Sequence, residues 1–244
     1  MAAASSLGID VLALDFECLG DGSSYDLAAL GMCYMNEELE IMDRTLIPLW
    51  VEGQSVAEER CFTEFWDKAD ENGNRPMRRA LETHFRSAAK TLKEAYATGY
   101  KHYAFFRSLC ESRSRERGKT LILVFDCPVY DAPKLQQLVD RGGQGENQGI
   151  GFEISPPHKW CWKASSDDYR AGLADHIRGT RQVPPLVKSD RAVLQWAYHI
   201  PLGPRDKDGV ILHDHMPQND AANHAFDYII SRRINAGLHK STQT

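Results

Sequence analysis

The sequence predicts an α/β protein with a single core, in which an antiparallel meander of strands opens a sheet and helices alternate with later strands. Three observations predict it. Strand-like runs joined by short turns fill residues 9–49, a nearly continuous apolar run TLILVFD stands at 120–126, and helical periodicity dominates much of the remainder.

Taken in order, IDVLALDFE (9–17) is a short apolar run that ends in acidic residues, and LGDGSS supplies turn chemistry after it. DLAALGMCYM and LEIMDRTLIPL read as the second and third strands, close enough in sequence to pair antiparallel. VAEERCFTEFWDKADE looks helical and precedes the turn-like NGNRP. Met77, Leu81, Phe85, Ala88, Leu92 and Ala95 recur at steps of three and four, which predicts one helix from Met77 to about Tyr96. A further helix is expected over 100–112. TLILVFD then reads as a strand covered on both faces. DAPKLQQLV follows with an N-cap-type Asp131 and an early proline.

RGGQGENQG (141–149) reads as a loop and IGFEIS as another strand, with 158–187 irregular apart from a helix-like portion. DRAVLQWAYHI (190–200) and NDAANHAFDYIISRRI (219–234) complete the helices. No internal repeat or low-complexity linker divides the chain, so residues 1–244 are expected to form one domain with an irregular insertion around 142–187.

The composition narrows the class. At 42% apolar and 26% charged residues the chain has the profile of a globular protein that buries a sizeable core. No apolar run approaches the roughly 18–20 residues of a membrane span. MAAASSLGID lacks both a basic region and a long apolar region, so no secretory signal is expected. The six cysteines stand singly, which suits reduced thiols in a cytoplasmic, reducing compartment better than a structural zinc site. A formal charge of −5 argues against coating nucleic acid by bulk positive charge, though not against gripping a few phosphates locally. Arg107 to Lys119 holds five basic and two acidic residues, and it reads more simply as a solvated helix end than as a phosphate track.

Three clusters could carry chemistry. Asp15 and Glu17 lie two apart at a strand end, so the period of two projects both carboxylates from one face. Side by side they repel unless a proton or cation intervenes, and oxygen donors suit Mg²⁺ or Mn²⁺. D-x-E at a strand end is nevertheless common. Asp126 and Asp131 form the second cluster, and each is also explained as a strand terminator or helix cap. The third is HDHMPQNDAANHAFDYII (213–230), where His215 precedes Asp220 by five residues. An imidazole on a loop beside a ligating aspartate suits a general base for metal-assisted hydrolysis. A histidine before a helix is also often an ordinary surface residue. Asp214 and Asp227 read as solvent or helix-surface residues, His213 has no assigned role, and His224, four positions past Asp220, is expected on the same side of the helix as an indirect support of the site.

Together, D-x-E on the first strand, an aspartate at a mid-chain strand-to-helix junction and H-x4-D opening a late helix resemble the DEDDh, DnaQ-like 3′–5′ exonucleases. The likeness extends from Asp15 to the closing helix, and TEFW (63–66) and HMPQNDA (215–221) resemble compact exoribonuclease-like members. The resemblance implies a ribonuclease H-like mixed five-stranded sheet, antiparallel first and parallel after, flanked by helices. It implies that Asp15, Glu17, Asp131 and Asp220 ligate two divalent ions, Mg²⁺ or Mn²⁺, and that His215 activates the attacking water. The family places the third acid after an aromatic residue at a helix start, which fits YDAPKL and Asp131, with Asp126 as the alternative. Phe16 and Leu19 would wedge against the terminal base, and Trp66 would stack on a nucleotide or sit in the core.

The implied reaction is release of nucleoside 5′-monophosphates from the 3′ end of single-stranded nucleic acid, RNA favoured over DNA. Dimers are common in the family, so a homodimer is expected. An inactive nucleic-acid-binding module of the same fold, or a small-molecule or short-oligonucleotide phosphodiesterase, would share much of this pattern. Cys18 stands where the family often has a hydroxyl residue, and 142–187 is longer than a minimal member needs.

Overall fold

A computed structural model describes residues 6–20, 25–54, 58–125, 128–143, 166–199, 203–205 and 216–238. Strands β1 (Ile9–Cys18), β2 (Leu27–Asn36) and β3 (Ile41–Pro48) form the expected antiparallel meander, and β4 (Thr120–Phe125) pairs parallel to β1. The strand order is β3-β2-β1-β4. The described residues thus give a mixed sheet of four strands where five were expected. IGFEIS, read as a further strand, lies outside the described residues. β4 is less enclosed than its apolar run suggested, because only Val124 and Phe125 in it are buried.

The helices are α1 (Glu59–Cys61), continued by a π-helical turn at Phe62–Trp66, then α2 (Pro76–Thr83), α3 (Leu92–Glu116), α4 (Pro128–Gly142), α5 (Ser166–Thr180), α6 (Asp190–Tyr198) and α7 (Pro217–Asn235). The single helix expected over Met77–Tyr96 is two. Phe85 keeps the apolar spacing, but it is buried from a non-helical link whose backbone bonds to Trp50: Trp50 N–H donates to Phe85 O at 3.0 Å and Ser87 N–H to Trp50 O at 2.7 Å. Thr91 then restarts the chain with a capping box to Glu94, and α3 runs on through the segment expected as a separate helix. Asp131 is not an N-cap; α4 begins at Pro128 and holds Asp131 in its first turn.

Alternation along β1 sorts the core into two layers. Leu12, Leu14, Phe16 and Cys18 face a cluster with Tyr96, Tyr103 and Leu138 of α3 and α4. Val11 and Ala13 face the opposite cluster with Ala222, Phe226 and Ile229 of α7. α5 and α6 pack outside α7, which leaves that helix buried on most of its circumference.

This second burial changes the reading of Asp227, which looked solvent-facing. It is 4% exposed and accepts hydrogen bonds from Arg170 of α5 at 2.6 Å and Arg191 of α6 at 2.5 Å. The basic run is likewise structural: Arg107 pairs with Glu111, Arg113 with Asp43, Arg117 with Glu38 and Lys119 with Glu37.

Removing one partner from a buried ionic cluster strands the charges that remain. Asp227→Ala is therefore expected to destabilise the protein by about 3 kcal/mol. Denaturant unfolding checks this, and an unchanged midpoint would show that the two guanidinium groups are solvated without it.

Candidate active site

Asp15 and Glu17 continue the β1 face that carries Val11 and Ala13, the face that α7 covers. Their placement follows from the strand period, and the approach of α7 follows from a glycine. Gly31 pairs with Asp15 across β1 and β2. A Cβ on Gly31 would fall 2.0 Å from the Pro217 carbonyl carbon and 2.2 Å from the Gln218 nitrogen. Only a residue without a side chain lets the first turn of α7 lie so close to the sheet. Pro217 occupies the first helical turn, where its missing N–H costs nothing. Asn219 accepts a hydrogen bond from Arg44 of β3 and binds Asn223 through its carbonyl, which fixes that turn against the sheet edge. Asp220, in the same turn, is thereby brought to the acids of β1.

The electrostatics of Glu17 show the grouping. Burial pushes its carboxyl well above the usual range, and the negative charges of Asp15, Asp220 and Asp131 push it further. Four carboxylates from β1, α4 and α7 thus act on one another across more than two hundred positions of sequence. Lys134 partly offsets them. Its ammonium lies 3.7 Å from Asp131 Oδ1, one turn along α4. His224, one turn beyond Asp220, places Nε2 3.7 Å from Asp15 Oδ1.

The donor set is all oxygen and under-neutralised, which fits a hard divalent cation in ligand type and charge. Among the described residues, no three His, Cys, Asp or Glu side chains converge tightly enough to hold an ion as they stand. A bound ion would have to draw the carboxylates inward.

The other expected site residues fall into three groups. His215 and Asp126 lie outside the described residues, as do His213 and Asp214. Phe16 and Leu19 are buried in the core rather than open to a substrate. Trp66 is also buried: its Nε1–H donates to the Cys18 carbonyl at 3.1 Å, and its ring meets Phe85 edge to face at 6.1 Å. It buttresses the end of β1 and offers no free face for a nucleotide to stack upon.

A groove of about 930 Å³ lies between the π-helical turn and α2, lined by Phe65, Lys68, Arg75, Arg79, His84 and Met216 among others. Met216 directly precedes α7, so the groove reaches the start of the helix that carries Asp220. The Phe65 ring is 38% exposed. Sequence reasoning did not find Gly31, Lys134 or Arg79. For Lys134 a signal was present, since D-x-x-K inside a helix stacks the two groups on one side.

No family model matches the chain, and no curated protein does. Among solved structures the chain is similar to the crystal structure of cell-death related nuclease 4 (CRN-4), at 15% identity and a TM-score of 0.43. The match covers 95% of this chain and 65% of that one, so the chain spans less than two thirds of that protein's length. The functional reading rests on the residues themselves.

Gly31→Ala is expected to force the Pro217–Gln218 backbone off the sheet and to cost about 2 kcal/mol or more. Denaturant unfolding measures it. A variant of wild-type stability would mean that α7 does not bear on β2 at this point.

Proposed function

We propose that the protein is a metal-dependent 3′–5′ exonuclease of ribonuclease H-like fold, acting on single-stranded nucleic acid and releasing nucleoside 5′-monophosphates. The observation that carries this reading is the grouping of four acids from three separate elements: Glu17, whose carboxyl is pushed up by burial and then by the charges of Asp15, Asp220 and Asp131. A protein gains nothing in stability from such a cluster, whereas hydrolysis of a phosphodiester needs cations held in place by carboxylates.

In this reading Asp15, Glu17, Asp131 and Asp220 hold two Mg²⁺ or Mn²⁺ ions. Bound there, the ions supply charge stabilisation at the phosphate and lower the pKa of water. His215 accepts the proton of the attacking water from the loop before α7. His224, whose Nε2 lies 3.7 Å from Asp15 Oδ1, orients that carboxylate. Lys68 and Arg79 in the groove meet the phosphates of the strand, and the exposed edge of Phe65 offers a surface for a base. Preference for RNA rests on the likeness of HMPQNDA to exoribonuclease-like members. A reducing intracellular setting and a homodimer belong to the same reading. No helix among the described residues is long and apolar enough to cross a membrane.

The test is incubation with 5′-labelled single-stranded RNA and DNA, with Mg²⁺ or Mn²⁺ and with a chelator, beside Asp15→Asn. A ladder of one-nucleotide steps that is lost with the chelator and in the variant is expected. Intact substrate in every lane would leave a binding module, and hydrolysis of only dinucleotides or small phosphodiesters would leave the short-substrate enzyme.

His215→Ala is expected to lower turnover by roughly 10²–10⁴-fold while retaining Mn²⁺ binding. Loss in His213→Ala instead would move the base to that position. Arg79→Ala is expected to raise KM with little change in kcat and to flatten the salt dependence of binding. An unaltered KM at low and high salt would remove the strand from this groove.

A further inference from the structure

Lys134 is placed unlike an ordinary surface lysine. α4 projects it inward, its side chain is 14% exposed, and its ammonium lies 3.7 Å from Asp131 Oδ1. Its positive charge also acts on Glu17, on the strand that carries Asp15. The ammonium thus stands beside the acid of α4 and acts on the acids of β1. Burial works against its charge, and the carboxylates of Asp131 and Asp15 favour it.

We propose that Lys134 is an internal counter-cation of the acid cluster, which holds the metal-free site together and weakens its grip on divalent ions. The inference rests on the metal-binding reading of the site. A fixed positive charge beside Asp131 and near Glu17 eases their repulsion when no ion is present. The same charge repels an incoming divalent ion and competes for an Asp131 oxygen. Lys134 thus sets the ion concentration at which the site loads. It is a positioning residue: it acts through Asp131 and the end of β1.

The experiment is calorimetric titration of Mn²⁺ into the full chain, wild type against Lys134→Met and Lys134→Arg, with thermal melting of each with and without the ion. Lys134→Met is expected to bind Mn²⁺ tighter by on the order of tenfold. It should melt lower than wild type without metal and recover most of the difference at saturating Mn²⁺. Lys134→Arg keeps the charge and should keep wild-type affinity. If metal-free Lys134→Met does not fold, Lys134→Gln, which retains a neutral donor for Asp131, takes its place.

A folded neutral variant that binds Mn²⁺ no tighter than wild type overturns the role of Lys134 and leaves the nuclease reading standing. Absence of Mn²⁺ binding to every variant overturns both. Tighter binding in a protein that degrades no polynucleotide keeps this inference and removes the nuclease.

Discussion

The close approach of α7 to β2 at Gly31 is the contact on which the rest of the structure depends. It sets the depth at which the helix rides on the sheet, and it does so with backbone on both sides. Farther along, the helix buries Phe226, Ile229 and Ile230 against β1 and β2. At its start the same seating presents Asp220 to Asp15 and Glu17. Packing and site geometry are therefore one constraint. A helix lifted by the thickness of a methyl group would leave gaps in the core and open the acid cluster together.

Such a seating has to be supported from outside, because α7 is buried nearly all round. α5 and α6 supply that support, and they lock it with Arg170 and Arg191 on Asp227. The clusters on Asp220 and Asp227 lie two turns apart and have opposite characters. Around Asp227 two guanidinium groups surround one carboxylate, so its negative charge is fully met within the protein. Around Asp220 carboxylates outnumber the cation that Lys134 provides, so the excess is left for something else to match. The contrast within one helix separates a group that serves the fold from one that serves the site.

How much was legible in sequence follows the range of the interactions. The pairing of Asp15 with Glu17 on one face needed only the strand period, and the meander needed only short turns, so both could be read directly. Local pattern misled where a tertiary contact replaced a helix turn, as at Phe85, whose spacing fits a helix although its backbone pairs with Trp50. Asp227 was misread because its partners lie 57 and 36 residues away, and nothing near it in sequence reveals them. Trp66 was ambiguous between stacking and packing because an aromatic residue near a site satisfies either description. The acceptor at the Cys18 carbonyl decides it for packing.

The arrangement around Glu17 also explains how a chain of net charge −5 could handle a polyanion. Bulk positive charge is one way to attract phosphate, but it acts everywhere and falls away with salt. In the proposed reading, concentrated negative charge at a strand end would attract divalent ions to one point, and those ions would present positive charge to a single phosphate. The chain then needs only a few free cations, such as Lys68 and Arg79, along the approach. Several of its arginines are spent on ion pairs between elements, as with Arg113 of α3 on Asp43 of β3 and Arg170 of α5 on Asp227 of α7. Repulsion within the site is the cost of that division of labour. It is tolerable because Gly31, Trp66 and the Asp227 cluster fix the surrounding elements independently of whether the acids are neutralised.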